Sequence, residues 1–464
     1  MATDEAQPLR IRCETLFDGD ELHRRRTVRV EGDRIVSVEP TGAAEGDGPE
    51  LDCRFLMPGL IDSHAHVAGY HEGSPAGIPF QPMKSFMRLL IYNGVTTVRD
   101  TGNSIESILY LREWGEAFAG PRIFGSGPLL DLPPLMWPFS RIVRDPQQAR
   151  AQVRLLALEG MDFVKAYRNI PPDVLDAVVD EAREHGLDVA ADIRATPALA
   201  ASRSGVRSIE HVANVTPGNG SAQSEAASGS GWALRWANLD PGSAAVRELA
   251  EELAANGTFV CPTLMVLHRL ALFEEVYQDP YLDYMATVMP YHRYFKQMRT
   301  RIGRMIGKKF MDQYMSLPRL SKRQEEEIRR GLAHMRRVMA VLHRCGVPLV
   351  AGTDSPNPSL APGFSLHQEL ALMVEAGLSP LEVLRCATAN AGDLLRQPGL
   401  GRLRPGSPAD LLLLDDNPVE DIRNSQRIRG VIKAGRRVDR QRAMRLVMTP
   451  EDTAKEGGSP WRRS

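Results

Sequence analysis

Residues 60–67 read "LIDSHAHV", two histidines one residue apart at the end of an apolar run. Side chains alternate along a β-strand, so His64 and His66 project from one face of the strand that carries them. Outward from this stretch, short apolar segments alternate with helical ones. The strand candidates are "LMPGLIDSH", "VTTVRD", "RIFGSG", "DFVKAY", "DVAADI", "SIEHV", "FVCPTLMV" and "PLVAGTD". Helix candidates lie between them, such as "PPDVLDAVVDEAREHG" with its glycine stop and "SKRQEEEIRRGLAHMRRVMAVLHRCG" with its serine cap.

Eight such β-then-α units predict an α/β fold, a (β/α)8 barrel of the TIM type spanning 58–399, with its active site at the strand C-termini. The ends have another texture. "LRIRCETLF", "TVRVEGDRIVSVEP" and "PELDCRFL" at the start, and "ADLLLLDDNP" and "IRGVIKAGRRV" at the end, alternate like strands, with Gly-Asp turns at 19–20, 32–33 and 46–47. They predict one small β-domain, a sandwich built from residues 1–57 and 400–445. The Gly/Ser-rich stretch 216–231 reads as a loop, 265–320 as a helical lid, and 446–464 as a flexible tail.

Charge bounds the partners. The 464 residues carry 57 Lys+Arg against 58 Asp+Glu, a net charge of −1, so no global field draws the protein to nucleic acid or to an anionic membrane. Five cysteines without a CxxC pair, and an opening "MATDEAQPLR" without a signal pattern, predict a cytoplasmic protein with reduced thiols. No run of eighteen apolar residues predicts a membrane span.

The polar residues at the strand ends are the site candidates: Asp62, His64 and His66 on strand one, Lys165 on four, Asp192 on five, His211 on six and Asp354 on eight. Imidazole and carboxylate are the ligands that zinc and similar ions prefer. Each residue alone has a structural use as a cap, turn or ion-pair partner. Together they deliver metal-ligand types from independent strands to one rim.

The chain resembles the amidohydrolase superfamily, in the branch of imidazolonepropionase-like and prolidase-like proteins. The resemblance is carried by "PGLIDSHAH", "GVTTVRDTG", "DFVKAYR", "GVRSIEHV", "CPTL", "AGTDS", "SLHQELALMVEAGLSPLEVLRCATANAGDLL" and "LGRLRPGSPADLLLLDDNP", over residues 8–440. It implies two divalent ions, zinc or manganese, bridged by a carbamylated Lys165. His64, His66 and Asp354 would hold the first, and His211 with the strand-five residue the second. A hydroxide shared by the ions would attack a carbonyl, with Asp354 as the catalytic proton carrier.

The pattern breaks at strand five, where the resemblance implies histidine and the chain has Asp192. Either Asp192 ligates the second ion, or it falls short and one ion binds well, or the site is a silent scaffold. His185 precedes the strand and belongs at its other end. After strand three, "SGPLLDLPPLMWPFSRIV" predicts an apolar wall with Trp137 and Phe139, beside Tyr167 on the face of Lys165. Trp137 and Tyr167 are thus candidates for substrate binding, to a small molecule with a hydrophobic group. The expected activity is hydrolysis of an amide-type C–N bond in a cyclic amide, a dipeptide-like amide or an N-acyl amino acid. Lactone or ester hydrolysis, a mononuclear deaminase or imidazolone hydrolase, and the silent scaffold stand as alternatives. Relatives often assemble, so a homo-oligomer is a further expectation. Arg99 and Asp100 are expected to pair in support of the site, and His367 to orient its helix rather than to ligate.

Overall fold

The computed structural model describes residues 8–42, 50–67, 83–137, 139–218, 235–272, 321–357 and 360–448. The expected Gly46–Asp47 turn, most of the 216–231 loop, residues 273–320 of the expected lid and all but the start of the 446–464 tail lie outside the described residues.

The chain opens with β1 (Leu9–Phe17), β2 (Leu22–Glu31), β3 (Arg34–Pro40) and β4 (Glu50–Pro58). Their period-two pattern sets one face inward: on β1, Ile11 and Cys13 are buried while Arg12 and Glu14 are exposed. One residue after β4 the chain enters β5 (Leu60–Ala65), which is buried along its whole length. It pairs in parallel with β6 (Val95–Asp100), and β6 with β7 (Arg122–Gly125).

The next sheet holds β8 (Leu130–Asp131), β9 (Arg141–Ile142), β10 (Phe163–Ala166), β11 (Asp188–Ala191), β12 (Ser208–Glu210) and β13 (Phe259–Cys261), in the order β13-β12-β11-β10-β8-β9. Its pairs are all parallel. Two links join the sheets. Asp162 N donates to Gly125 O at 3.0 Å. At the other side, residues 349–355 make parallel bridges from Leu349 to Val260 and from Ser355 to Ala65. The eighth strand expected at "PLVAGTD" is thus a bridged segment, and, with β8 and β9 set aside, the neighbours run β5, β6, β7, β10, β11, β12, β13 and through that segment back to β5, a ring. Such strands, covered by helices, are buried on both faces, as β5, β6 and β10 are.

The covering helices follow their caps. Asp145 caps Pro146–Leu158, and Ser321 forms a capping box on Lys322–Arg344. One expectation is corrected here: "FVCPTLMV" is a strand only to Cys261. Pro262 has no N–H for a ladder, and a helix starts at Leu264 and runs to Ala271, so the part of the expected lid from Met265 to Ala271 belongs to that helix.

Near the chain end, β14 (Leu411–Leu414), β15 (Ile428–Lys433) and β16 (Arg436–Arg437) join the opening strands in a single seven-stranded sheet, β16-β15-β14-β4-β1-β2-β3. β14 lies against β4 on one side and β15 on the other, and all four of its leucines are buried. The two ends also meet at turns. Gly435, with φ 73°, passes so close to the β2–β3 turn that a Cβ there would lie 1.8 Å from Gly32 O. Only glycine fits.

Candidate metal centre

Three imidazoles gather at the C-terminal ends of the ring strands, each held by its Nδ1. His64 Nδ1 lies 2.6 Å from Glu210 Oε2, His66 Nδ1 3.0 Å from Gly102 O, and His211 Nδ1 2.6 Å from Thr263 Oγ1. A proton donated from Nδ1 leaves the Nε2 lone pair as the ligating atom. The Nε2 atoms of His64 and His66 stand 3.5 and 3.0 Å from Asp354 Oδ1. Asp354 faces the other side too, with Oδ2 3.9 Å from His211 Nε2, and His211 Nε2 is 3.6 Å from Asp192 Oδ2.

These spacings suit an ion. Donors about 2.0–2.1 Å from a tetrahedral ion are about 3.3 Å apart, and the His64 and His66 distances to Asp354 straddle that value. Burial presses the His211 imidazole down to about 4, so it is neutral and able to ligate at neutral pH. Asp354 resists the same burial: its close contacts with His64 and His66 hold its carboxyl well below the usual range.

Lys165, on β10, is fully buried, and its Nζ has no hydrogen-bond partner among the described residues. Burial lowers its pKa, against the pull of Glu210, Asp192 and Asp354, and Arg99 adds to the lowering. Asp192, at the end of β11, accepts from Asn214 Nδ2 at 2.8 Å through Oδ1. Burial opposes its charge, but His211, Arg168, Lys165 and Arg194 hold its carboxyl down to about 2. The structure therefore brings His64, His66, Lys165, Asp192, His211 and Asp354 to one place.

Sequence reasoning missed the layer beneath. Glu210 is wholly buried, and besides His64 it accepts from Arg99 at 2.9 Å and from Ser208 at 2.6 Å. The expected Arg99–Asp100 pair is corrected by this contact. Neighbours on a strand point to opposite faces, and Asp100 instead accepts from Val67 N, Gly102 N and Asn103 Nδ2. Asp62 binds Thr353 through its N and Oγ1 at 3.0 and 2.7 Å, locking the first strand to the bridged segment. A second set of close ligand atoms, His64, Glu210 and Cys261, is a poor cation site. Glu210 is already engaged by Arg99, and burial pushes the Cys261 thiol well up, away from thiolate.

Backbone strain clusters here. His211, Thr263 and Asp354 have φ of 64°, 47° and 62°, a region that costs a non-glycine residue about 1–3 kcal/mol and collects at functional sites. Tyr167 is buried, and its hydroxyl accepts from Trp137 Nε1 at 3.2 Å. Trp137 and Phe139 stack with centroids 6.1 Å apart. His367 is buried between Ser425 Oγ at 2.8 Å and Asn93 O at 3.0 Å, away from the cluster. His185 ends a helix and pairs with Glu181 at 3.3 Å.

A ring of parallel strands with candidate ligands at its ends is the setting for the class. The chain belongs to the amidohydrolase family, whose pattern its residues 55–438 match. It is 23% identical to the ochratoxinase of Aspergillus niger, over 93% of this chain and 86% of that one. It is 38% identical to the imidazolonepropionase of Deinococcus deserti over 97 residues, which span 20% of this chain and 24% of the relative. Among solved structures, a Xaa-Pro dipeptidase with methionine in its active site has a TM-score of 0.66 at 21% identity, covering 93% of this chain and 99% of that one. The A. niger ochratoxinase crystal structure also has a TM-score of 0.66, at 21% identity, covering 94% and 96%. These structural likenesses are of fold. Among the described residues no helix is long and apolar enough to cross a membrane.

Proposed function

We propose that the protein is a metal-dependent hydrolase of an amide-type C–N bond, in a cyclic amide, a dipeptide-like amide or an N-acyl amino acid. The carrying observation is the convergence of three Nε2 atoms and Asp354 with a buried lysine amine that has no hydrogen-bond partner among the described residues. Family membership and relatives named as ochratoxinase and Xaa-Pro dipeptidase support the amide reading. In this reading the ring is a (β/α)8 barrel of residues 58–399, and the composite sheet is the small β-domain of 1–57 and 400–445.

His64, His66 and Asp354 would hold one divalent ion, and His211 and Asp192 a second, zinc or manganese. Lys165 would bridge them as a carbamate: its lone pair attacks carbon dioxide, a C–N bond forms as one C=O π bond opens onto oxygen, and the nitrogen gives up one proton to solvent. Burial favours the neutral amine that this step requires. When bound, the ions would supply a hydroxide at neutral pH and polarise the scissile carbonyl. Asp354 Oδ2 would take up a proton and return it to the leaving nitrogen. Glu210 keeps His64 in the ligating tautomer. Trp137, Phe139 and Tyr167 would form a wall for a hydrophobic substituent of a small-molecule substrate.

Metal analysis of protein purified with bicarbonate tests this. Near two divalent ions per chain are expected; one would sink the paired-ion reading, and none the metal reading. A screen of hydrophobic N-acyl amino acids and dipeptides, with zinc and with manganese, tests the substrate class.

A further inference from the structure

The helix Phe364–Glu375 carries a wholly buried carboxyl group, Glu369, that the proposed chemistry does not use. Its Oε1 accepts from Leu264 N at 2.8 Å, and its Oε2 from Met265 N at 2.7 Å. These are the first two amides of the helix Leu264–Ala271, donors with no partner inside their own helix. The residue before them, Thr263, is of a type that ordinarily caps a helix with its own hydroxyl. Here Thr263 makes no side-chain cap bond. It sits in the left-handed region at φ 47° and ψ 50°, which is costly for a β-branched residue. Its hydroxyl goes instead to His211 Nδ1, at 2.6 Å.

The two tasks have been divided. Glu369 satisfies the helix start from a distant segment, and the Thr263 hydroxyl is thereby released for the imidazole. We propose that Glu369 is a positioning residue: by clasping the amides of Leu264 and Met265 it holds Thr263 in the conformation that aims His211. The helix bearing Glu369 is itself anchored two residues earlier, where His367 meets Ser425 and Asn93. This inference rests on His211 being a ligand of the second ion.

The test uses the full chain loaded with cobalt(II) in bicarbonate, comparing wild type, Glu369→Gln, Thr263→Val, the double variant and Thr263→Ser. Glutamine keeps the size but puts an NH2 against one amide. Chelator competition should show that Glu369→Gln and Thr263→Val each retain one of the two cobalt ions about 10-fold less tightly, with a shifted visible cobalt band. The double variant should be no worse than the weaker single, because both changes act through one contact. Thr263→Ser should restore the wild-type band. If Glu369→Gln melts lower yet keeps the wild-type cobalt band and retention, Glu369 is a cap only and the inference falls. Should Glu369→Gln not fold, an unchanged band in Thr263→Val overturns the inference on its own. A wild type that takes up no cobalt sinks the metal reading beneath it, a result distinct from either.

Discussion

Glu210 Oε2 stands 2.6 Å from His64 Nδ1, while Arg99 grips the other oxygen of the same carboxylate at 2.9 Å. The carboxylate is thus ionised and fixed before any ion arrives, and Arg99 with His64 holds it well below the usual range in spite of its burial. Glu210→Gln should let the imidazole turn and lower metal affinity about 10- to 100-fold. Chelator competition measures this, and an unchanged affinity would remove Glu210 from the site.

Lys165 makes the opposite case, a group whose value depends on modification. An unpartnered buried polar group costs about 1–3 kcal/mol, so without bicarbonate or metal Lys165→Met should be more stable than wild type by about that amount. With both added, the order should reverse as wild type gains ligand-linked stability. Urea unfolding under the two conditions decides it. A variant no more stable than wild type without bicarbonate would mean that the amine already has a partner.

Asp192 brings a negative charge to a position where the resemblance implies a neutral imidazole. Asp192→His should retain activity and shift preference from manganese toward zinc, read as the ratio of rates with each ion. Activity appearing only in the variant would instead mark the natural site as silent.

Gly352 lies beside the first strand, and a Cβ there would fall 2.7 Å from His64 Cβ and 2.8 Å from His64 N. Gly352→Ala should destabilise by about 1–3 kcal/mol and move His64, lowering metal affinity with it. Thermal melts and metal retention should fall together.

His367 supplies a pH effect outside the centre. Burial presses its imidazole down to about 4, and Arg440 adds to the lowering against the pull of the Asn93 carbonyl. The unfolded chain binds a proton near the ordinary value while the folded chain stays neutral. Stability should therefore be full above about pH 6.5 and fall toward pH 4, by at most about 1.4 kcal/mol per pH unit. His367→Gln should flatten this slope in urea titrations. A parallel slope would clear His367 of the effect.

Much of the candidate site's geometry was legible because strand alternation is local. His64 lies on β5 and His66 one residue past its end, and His211 and Asp354 close similar apolar runs. The supporting layer was not, because its meaning is non-local: Glu210 acquires its role from Arg99, 111 residues away. The helix at Leu264 was read as strand for the same reason, since its cap comes from Glu369, 105 residues on. The Arg99–Asp100 expectation failed on a local rule, as adjacent strand residues cannot share a face. The composite nature of the end sheet was readable from texture, but the insertion of β14 between β4 and β15 was not.

That insertion bears on how the protein is born. β4 emerges from the ribosome early, but its neighbour β14 is made roughly 350 residues later, a delay of about 20 to 70 seconds at ordinary translation rates. Throughout that interval the nascent chain exposes one unpaired edge of β4, a template for stray strands. Chaperone demand during synthesis should therefore centre on the first sixty residues, and release should follow the arrival of Leu411–Leu414.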